Sequence, residues 1–259
     1  MSRSIRHPEI LDIARREGKV TVEGLAAYFG VTFQTVRRDL TDLADTGLLD
    51  RVHGGAVLPS GTTNIGYADR RGLNFAGKLA IARACAARIP HDCSVFLNIG
   101  TSTEAVADRM LAHRNILAVT NNLNVATILA RNPDCEVVVT AGVLRRADGG
   151  LTGGLTERTI RQFKFDFAIV GCSAIDGDGD ILDFDMQEVG VTRTIIEQSR
   201  RVFLVADHTK FRRKAPVRVA ALSDLAAIFT DRPPAAGLAR RCETLKVALH
   251  VADPSADPA

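Results

Sequence analysis

Four polar side chains of the kind that recognise DNA bases occur within five consecutive positions of the sequence, 34–38. They are Gln34, Thr35, Arg37 and Arg38. Glutamine and arginine make paired hydrogen bonds to the edges of bases, and threonine contacts thymine methyl groups or phosphates. At about 100° per residue, Gln34, Thr35 and Arg38 face one side of a helix, and Arg37 lies at the edge of that side. The spacing therefore predicts a helix that enters the major groove.

A helix-turn-helix would position these side chains. An apolar face at Leu25, Ala26 and Phe29 predicts the first helix. Gly30 is suited to end that helix, because glycine accepts the left-handed conformation. Thr32 is a good N-cap for the second helix, since its hydroxyl accepts a hydrogen bond from a backbone N–H, and it is also a candidate DNA contact. On the buried side of the second helix the sequence predicts Phe33, Val36, Leu40, Leu43 and Ala44.

A two-stranded wing is predicted to follow the second helix. Residues 48–53 suit one strand, the glycine pair at 54–55 suits the turn, and residues 56–58 suit the returning strand. Arg51 and His53 near the tip are candidates for contacts with phosphates or with the minor groove. A winged helix-turn-helix places one helix in the major groove of double-stranded DNA. A helical hairpin that packs against a partner protein is the alternative.

The balance of charges argues against DNA binding by a strongly basic monomer. Residues 1–60 contain eight Lys or Arg and eight Asp or Glu, so their formal net charge is zero, and that of the whole chain is +3. Because each contact with a phosphate adds to DNA affinity, a homo-oligomer would multiply those contacts. We therefore expect a dimer or a tetramer that binds DNA through a few well-placed positive side chains.

Composition argues against several other classes of protein. The 259 residues are 46% hydrophobic, which suffices for a packed core. The sequence has no run of about 18 apolar residues and no signal peptide, so we expect a cytoplasmic protein without membrane contact. The five cysteines are scattered and show no C-x-x-C spacing, which predicts neither a disulfide framework nor a metal site. We expect no cofactor.

The remainder of the chain has the pattern of an α/β domain with a mostly parallel sheet, because apolar β-rich segments alternate with helical ones. The segments predicted as strands are SVFLNIG, LAVTNN, EVVVTAG, DFAIVGCSAI, RVFLVAD and AAIFTD, and those predicted as helices are 76–89, 103–112, 124–131 and 186–200. We predict a DNA-binding domain at 1–58, a linker at 59–75, the α/β domain at 76–252 and a disordered tail at 253–259.

Polar residues follow several predicted strands, which is where open α/β sheets bind ligands. They are Gly100, Thr101, Ser102, Thr103, Asn121, Asn122, Arg145, Asp176 and Lys210. The segment 100–103 lies between a strand and a helix, so its glycine, its hydroxyls and the helix N-terminus suit a phosphate. For each residue alone, a helix cap or a solvated loop is the alternative. Together they suit a small phosphorylated polyol or sugar.

Four segments carry motifs of a known family: VTFQTVRRDLTDLADTGLLDRVHGGAVLPS, NIGTSTEAVA, VTNNLNVA and VADHTKF. The first resembles the N-terminal signature of the DeoR family of bacterial repressors, and the others resemble its sensor domain. The resemblance implies a homo-oligomer that represses transcription until a phosphorylated metabolite binds a domain related to sugar-phosphate isomerases. It also implies that 100–103 form the phosphate loop and that Lys78 faces the phosphate. By the same resemblance, the rest of the site is lined by Asn121, Asn122, Asp176 and Lys210.

The segments RRADGGLTGG, IRQFKFDFAIVGCSAIDGDGDILDFDMQEV and FTDRPPA are similar to DeoR-family members that control glycerol 3-phosphate metabolism. The resemblance therefore implies glycerol 3-phosphate as the effector, with a sugar phosphate as the alternative. A working isomerase is a second alternative, because Asp176, Asp183 and Glu188 supply carboxylates. The Lys-Gly-Gly loop of such isomerases is missing, so we expect no enzyme activity. An activator is the third alternative, because the sign of regulation depends on the position of the operator.

Overall fold

The computed structural model of the chain describes residues 3–58 and 66–255, and it separates into two compact units between Leu73 and Asn74. Parts of the predicted linker and tail, at 59–65 and 256–259, lie outside the described residues. Each unit has an apolar core of its own. In the part of the chain that the structure describes, no helix is long and apolar enough to cross a membrane.

The first unit is a winged helix-turn-helix, as the sequence predicts. Its elements are α1 (Arg3–Glu17), β1 (Lys19–Thr21), α2 (Val22–Phe29), α3 (Phe33–Asp45), β2 (Asp50–Val52), β3 (Gly55–Val57) and α4 (Tyr67–Gly72). The strands form an antiparallel sheet in the order β1-β3-β2. The apolar core of this unit includes Ile10, Val20, Leu25, Val36, Leu40, Leu43, Leu49 and Ala56.

The helix ends that define the turn between α2 and α3 are confirmed. The hydroxyl of Thr32 accepts a hydrogen bond from the backbone N–H of Thr35 at 3.3 Å and caps α3. Gly30 ends α2 in the left-handed conformation, with a φ of 64°. In the wing, Gly55 belongs to the returning strand and not to the turn, because its backbone pairs with Thr21 and Val52.

Two features of α3 differ from the prediction. Phe33 is 54% exposed, although the helical wheel places it with the core, and Ala44 is only partly buried. Phe33 is the first residue of α3, and the buried side begins one turn later at Val36. Asp39 is 1% exposed, because it pairs with Arg6 on α1. The helix α1 was not predicted from the sequence.

The predicted linker contains regular structure that the sequence pattern did not indicate. The helix α4 occupies 67–72, and Leu73 is buried against Val52 and Val57 of the wing. An ion pair between Lys19 Nζ and Asp69 Oδ1, at 2.6 Å, joins β1 to α4. The prediction of an aperiodic linker up to residue 75 is therefore wrong for this part. Contacts between distant residues stabilise a helix of only six residues, which is too short to be recognised by its periodicity.

The second unit is an α/β domain whose main sheet is parallel, as predicted. Its strands are β4 (Cys93–Leu97), β5 (Ile116–Thr120), β6 (Cys135–Val139), β7 (Val143–Arg145), β8 (Gly150–Thr152), β9 (Phe165–Val170), β10 (Ala174–Ile175), β11 (Ile181–Asp183), β12 (Ser199–Val205), β13 (Val217–Ala220), β14 (Ala227–Thr230) and β15 (Ala248–Val251). Its helices are α5 (Phe75–Ala86), α6 (Thr101–Arg109), α7 (Leu123–Leu129), α8 (Gly154–Ile160), α9 (Met186–Glu197) and α10 (Ala236–Thr244), with short 3-10 helices at His208–Arg212 and Leu222–Asp224. The order of the main sheet is β15-β14-β12-β9-β4-β5-β6.

Apolar layers cover both faces of this sheet. Side chains alternate along β4, so Phe96 packs with Phe165 in one layer, whereas Val95 and Leu97 pack with Phe229 in the other. All six predicted strand segments and all four predicted helices are present. The run DFAIVGCSAI divides into β9 and β10. The elements β7, β8, β11, β13, β15, α8 and α10 were not predicted.

Candidate DNA interface and candidate effector site

The exposed side of α3 carries the polar residues predicted to contact DNA. Gln34, Arg37 and Arg38 are exposed, whereas Thr35 is partly buried. The hydroxyl oxygens of Thr32 and Thr35 are 3.0 Å apart, so both take part in the cap of α3. A concave surface at this end of the helix is lined by Arg6, Thr32, Gln34, Thr35, Arg38 and Asp39. Four of the predicted DNA contacts therefore share one surface.

Two arginines, one on α3 and one in the wing, are close enough to repel each other. Burial lowers the pKa of Arg51, and the positive charge of Arg37 lowers it further. Within the described residues, Nη1 of Arg51 is buried and has no hydrogen-bond partner. His53 is exposed in the wing turn. Because an anion would relieve the repulsion between the two guanidinium groups, this region suits a DNA phosphate.

A buried ion pair holds α1 against α3. Arg6 donates through Nε to Oδ2 of Asp39 at 2.7 Å and through Nη2 to Oδ1 at 3.0 Å. A two-pronged arrangement of this kind specifies orientation as well as distance. Because Asp39 directly follows Arg38, the ion pair positions the exposed side of α3. Ligand atoms of His7, Asp39 and Asp42 lie within 4.8 Å of one another, but Asp39 is already paired with Arg6, and we assign no metal to them.

The candidate effector residues lie where the order of the parallel sheet reverses. From β4 the chain continues to β5 and β6 on one side of the sheet, and then returns to β9, β12 and β14 on the other side. Open α/β sheets bind ligands at such a point, outside the carboxyl ends of the strands. A Cβ atom added at Gly171, after β9, would lie 4.0 Å from the backbone oxygen of Ile99, after β4. The loops at 98–100 and 171–173 therefore adjoin at this point.

The segment 100–103 joins β4 to α6 in a conformation that suits an anion. Gly100 precedes α6 with a φ of 146°, a conformation that side chains rarely allow. The Thr103 hydroxyl donates to the carbonyl oxygens of Asn98, at 2.7 Å, and Gly100, at 2.6 Å, so it shapes the loop. The hydroxyls of Thr101 and Ser102 make no hydrogen bond with another described residue. They are available to an anion together with the first N–H groups of α6.

The two predicted lysines both stabilise the ionised form of one buried carboxylate, Asp207, at the end of β12. Lys78 is 4% exposed, and Lys210 and Asp207 are also buried. Burial raises the pKa of Asp207, but the positive charges of Lys210 and Lys78, with smaller contributions from Thr209 and Arg213, outweigh this effect and lower the pKa. The structure thus brings Lys78 and Lys210, which are 132 positions apart in the sequence, into one region of positive charge.

This cluster adjoins the point at which the sheet order reverses. Burial raises the pKa of Cys172 to about 12, although the positive charge of Lys210 opposes this effect. Cys172 directly follows Gly171, whose backbone lies beside Ile99. The lysine cluster is therefore a neighbour of the loops at 171–173 and 98–100. The thiol of Cys172 stays protonated near neutral pH, which makes it a poor nucleophile.

The two predicted asparagines have different roles. Asn122 caps α7, because its Oδ1 accepts a hydrogen bond from the N–H of Asn124 at 2.8 Å, and its Nδ2 donates to Glu104 at 3.3 Å. Asn121 donates through Nδ2 to the carbonyl of Leu151 at 3.1 Å. Its Oδ1 is buried and has no hydrogen-bond partner among the described residues. Asn121 is therefore the better candidate to accept a hydrogen bond from a ligand hydroxyl.

Two other predicted contacts are occupied within the protein. Oδ1 of Asp176 accepts hydrogen bonds from the N–H groups of Asp178 and Asp180, each at 3.0 Å, so this side chain stabilises its own hairpin turn. Arg145 pairs with Asp148 at 2.7 Å, with Asp185 at 3.1 Å and with Glu188 at 2.8 Å. These three carboxylates balance its charge. One oxygen of Asp176 is therefore engaged in its own turn, and the charge of Arg145 is balanced within the protein.

A polar network at the carboxyl edge of the sheet was not predicted from the sequence. Asp231, at the end of β14, accepts hydrogen bonds from Asn74 and His208. His208 lies in the VADHTKF segment, two residues before Lys210. Asn74 and Asp231 are 157 positions apart. The histidine next to a predicted ligand contact was the one signal of this network in the sequence.

Comparison with known proteins agrees with both units. Residues 6–62 match the DeoR-like helix-turn-helix domain, and residues 73–232 match the DeoR C terminal sensor domain. The glycerol-3-phosphate regulon repressor of Escherichia coli (strain K12) is 45% identical over 90% of this chain and 93% of its own length. The repressor of the same name from Haemophilus influenzae is 46% identical over 90% of this chain and 91% of its own length.

The chain also has a distant likeness to a solved structure. Ribose 5 phosphate isomerase A from Neisseria gonorrhoeae aligns with a TM-score of 0.40 and 11% identity over 53% of each chain, which is too weak to carry an argument. The family assignment rests on the sequence matches, which cover the helix-turn-helix and most of the α/β unit. The chain belongs to the DeoR family of transcriptional regulators.

Proposed function

We propose that this protein is a homo-oligomeric repressor of genes for glycerol 3-phosphate metabolism, which acts in the cytoplasm. Glycerol 3-phosphate would bind the second unit and release the protein from double-stranded operator DNA. Two repressors of the glycerol-3-phosphate regulon, 45% and 46% identical to this chain, support the regulated genes and the sign of regulation. The observation that supports the binding site best is the convergence of Lys78 and Lys210 on one buried region.

The chemistry of the site matches a small phosphorylated polyol. The phosphate would take hydrogen bonds from the N-terminal N–H groups of α6 and from the hydroxyls of Thr101 and Ser102. The two lysines would balance its charge. Oδ1 of Asn121 would accept a hydrogen bond from a hydroxyl of the polyol. Release from DNA requires the ligand to bind more tightly to the released state than to the DNA-bound state.

Turnover of a sugar phosphate is disfavoured by the state of the carboxylates. Asp183 accepts hydrogen bonds from the Ser173 hydroxyl, at 2.9 Å, and from the N–H of Phe184, at 2.7 Å. Glu188 pairs with Arg145 and Asp176 holds its own turn. A general base needs a carboxylate that reaches the substrate proton, and these three are engaged elsewhere. We therefore propose a binding domain without catalysis.

Calorimetric titration tests the effector assignment directly. The purified chain is titrated with glycerol 3-phosphate, fructose 1-phosphate and ribose 5-phosphate, and DNA affinity is measured with each ligand on a duplex that the protein selects from a random pool. Selective binding of glycerol 3-phosphate with loss of DNA affinity supports the proposal. Selective binding of a sugar phosphate would instead indicate a repressor of genes for sugar metabolism. Absence of binding by all three would refute the proposed site.

Arg38→Ala is expected to weaken binding to the selected duplex by about 1–3 kcal/mol, or roughly 5- to 150-fold, if the guanidinium contacts a base. Binding to an unrelated duplex should change much less. Arg16→Ala is the matched control, because Arg16 is an exposed arginine of the same unit on α1. Fluorescence anisotropy with both duplexes provides the measurement. Equal losses of affinity for the two duplexes would show that Arg38 contacts only the phosphate backbone.

A further inference from the structure

The junction between the two units consists of two consecutive residues that are anchored differently. Leu73 is the last residue of the first unit, and its side chain is buried against Val52 and Val57 of the wing. Asn74 is the first residue of the second unit and adopts the left-handed conformation, with a φ of 49°. A displacement of Asn74 would therefore reach an anchored residue of the DNA-binding unit across one peptide bond.

The side chain of Asn74 belongs to a partly buried hydrogen-bond network within the second unit, whose central carboxylate, Asp231, is buried. Asn74 donates through Nδ2 to Oδ2 of Asp231 at 2.8 Å. Nδ1 of His208 lies 2.7 Å from the same Oδ2, and the backbone N–H of His208 donates to Oδ1 at 2.7 Å. Burial raises the pKa of Asp231, but the hydrogen bonds from His208 and Asn74 lower it to about 2. The carboxylate is therefore ionised near neutral pH and holds three donor groups together.

This network joins the two segments that carry the lysines of the effector site. The backbone N–H of Lys78 donates to the carbonyl of Asn74 at 3.0 Å, so Lys78 lies one helical turn beyond Asn74. His208 opens the 3-10 helix that contains Lys210. The packing is close, because a Cβ atom at Gly77 would lie 2.6 Å from Oδ2 of Asp231 and 2.4 Å from Nδ2 of Asn74. The bonds to Asp231 therefore link the backbone segments that carry the two lysines.

We propose that Asn74, His208 and Asp231 are positioning residues that couple effector binding to DNA release. They link the segments that carry Lys78 and Lys210 and transmit a shift of these segments to the junction at 73–74. This proposal rests on the proposed function, since it requires a ligand at the lysines that changes DNA affinity. It assigns no ligand contact to the three residues. Loss of the network should therefore reduce the coupling between the two binding events more than it reduces either event alone.

Asn74→Gly tests this proposal, because glycine keeps the left-handed conformation and removes the side chain that bonds to Asp231. The coupling ratio is the DNA dissociation constant with saturating glycerol 3-phosphate divided by that without it. Allosteric ratios of about 5- to 150-fold are typical, and we expect a wild-type value in this range. In Asn74→Gly we expect the ratio to fall to below one third of the wild-type value. The separate affinities for DNA and for glycerol 3-phosphate should change by less than about threefold.

Asn115→Gly is the matched control, because Asn115 is also left-handed, with a φ of 51°, and donates through Nδ2 to an aspartate, Asp92, at 2.8 Å. It should keep the wild-type coupling ratio. An unchanged ratio in Asn74→Gly, with a responsive wild type, would overturn the coupling role. If glycerol 3-phosphate does not change the DNA affinity of the wild-type protein, the proposed function is refuted instead. If Asn74→Gly does not fold, the ratio of Asp231→Asn decides the question by the same criterion.

Discussion

Asp39→Ala is expected to destabilise the first unit by about 3–5 kcal/mol, because it leaves the guanidinium of Arg6 buried without its carboxylate. Selective DNA binding should be lost with it, since α3 would no longer be held in one orientation against α1. Asp39 would not contact DNA itself in this interpretation. Hydrogen exchange of the α3 backbone amides measures the effect, because it reports on this unit independently of the other.

Two further variants separate the possible causes of that loss. Asp45→Ala removes an exposed carboxylate from the same helix and should leave stability and DNA binding almost unchanged. Arg6→Met with Asp39→Leu replaces the whole ion pair by apolar side chains, which is often neutral for stability. We expect this double variant to recover most of the lost free energy of unfolding. If Asp39→Ala lowers the free energy of unfolding by less than about 1 kcal/mol, the ion pair does not hold α3 in place.

Lys78→Met is expected to abolish release from DNA by glycerol 3-phosphate at concentrations that saturate the wild type. Removal of one member of a buried charge pair costs about 2–5 kcal/mol, which corresponds to a loss of at least roughly 30-fold in ligand affinity. Methionine keeps the apolar part of the side chain, and Lys210, Thr209 and Arg213 still stabilise the Asp207 carboxylate, so the folded structure should tolerate the change. DNA affinity without ligand should remain within about twofold of the wild type, because Lys78 belongs to the second unit.

Calorimetry and DNA-binding titrations on the same preparations check this result. Lys164→Met is the control, since Lys164 is an exposed lysine of the same unit that donates to the carbonyl of Glu197. Thr101→Val removes one uncharged hydroxyl and should weaken ligand binding by a smaller amount, about 0.5–1.5 kcal/mol. A Lys78→Met protein that binds and responds like the wild type would mean that the phosphate binds elsewhere.

Local patterns predicted most of the architecture. The Thr32 cap, the glycine after α2 and the apolar face of α3 are interactions between residues a few positions apart, so their pattern is visible in the chain itself. The strands of the parallel sheet were equally clear, because burial on both faces requires continuous apolar runs. Phe33 shows the limit of such patterns. Its position on the helical wheel was on the apolar side, but its side chain is 54% exposed at the start of α3, one turn before the buried side begins at Val36.

The candidate site depended on contacts that no local pattern contains. The loop at 100–103 was identified because its glycine and hydroxyls are consecutive. Resemblance to a family had to supply Lys78, and only the sheet topology shows why it lies near Lys210. Asp176 and Arg145 had suitable residue types, yet each is engaged by neighbours within the fold.

The sequence by itself determined the two kinds of domain, the side chains on the exposed face of α3 and a loop suited to phosphate, because each of these depends on residue types at short spacing. Only the tertiary structure decided which polar groups are engaged within the protein and which remain for a ligand. It paired Arg6 with Asp39 and joined Asn74 to His208 through Asp231. The physical reason is that burial makes a charge costly unless a partner is present, and the fold brings that partner from a distant part of the chain.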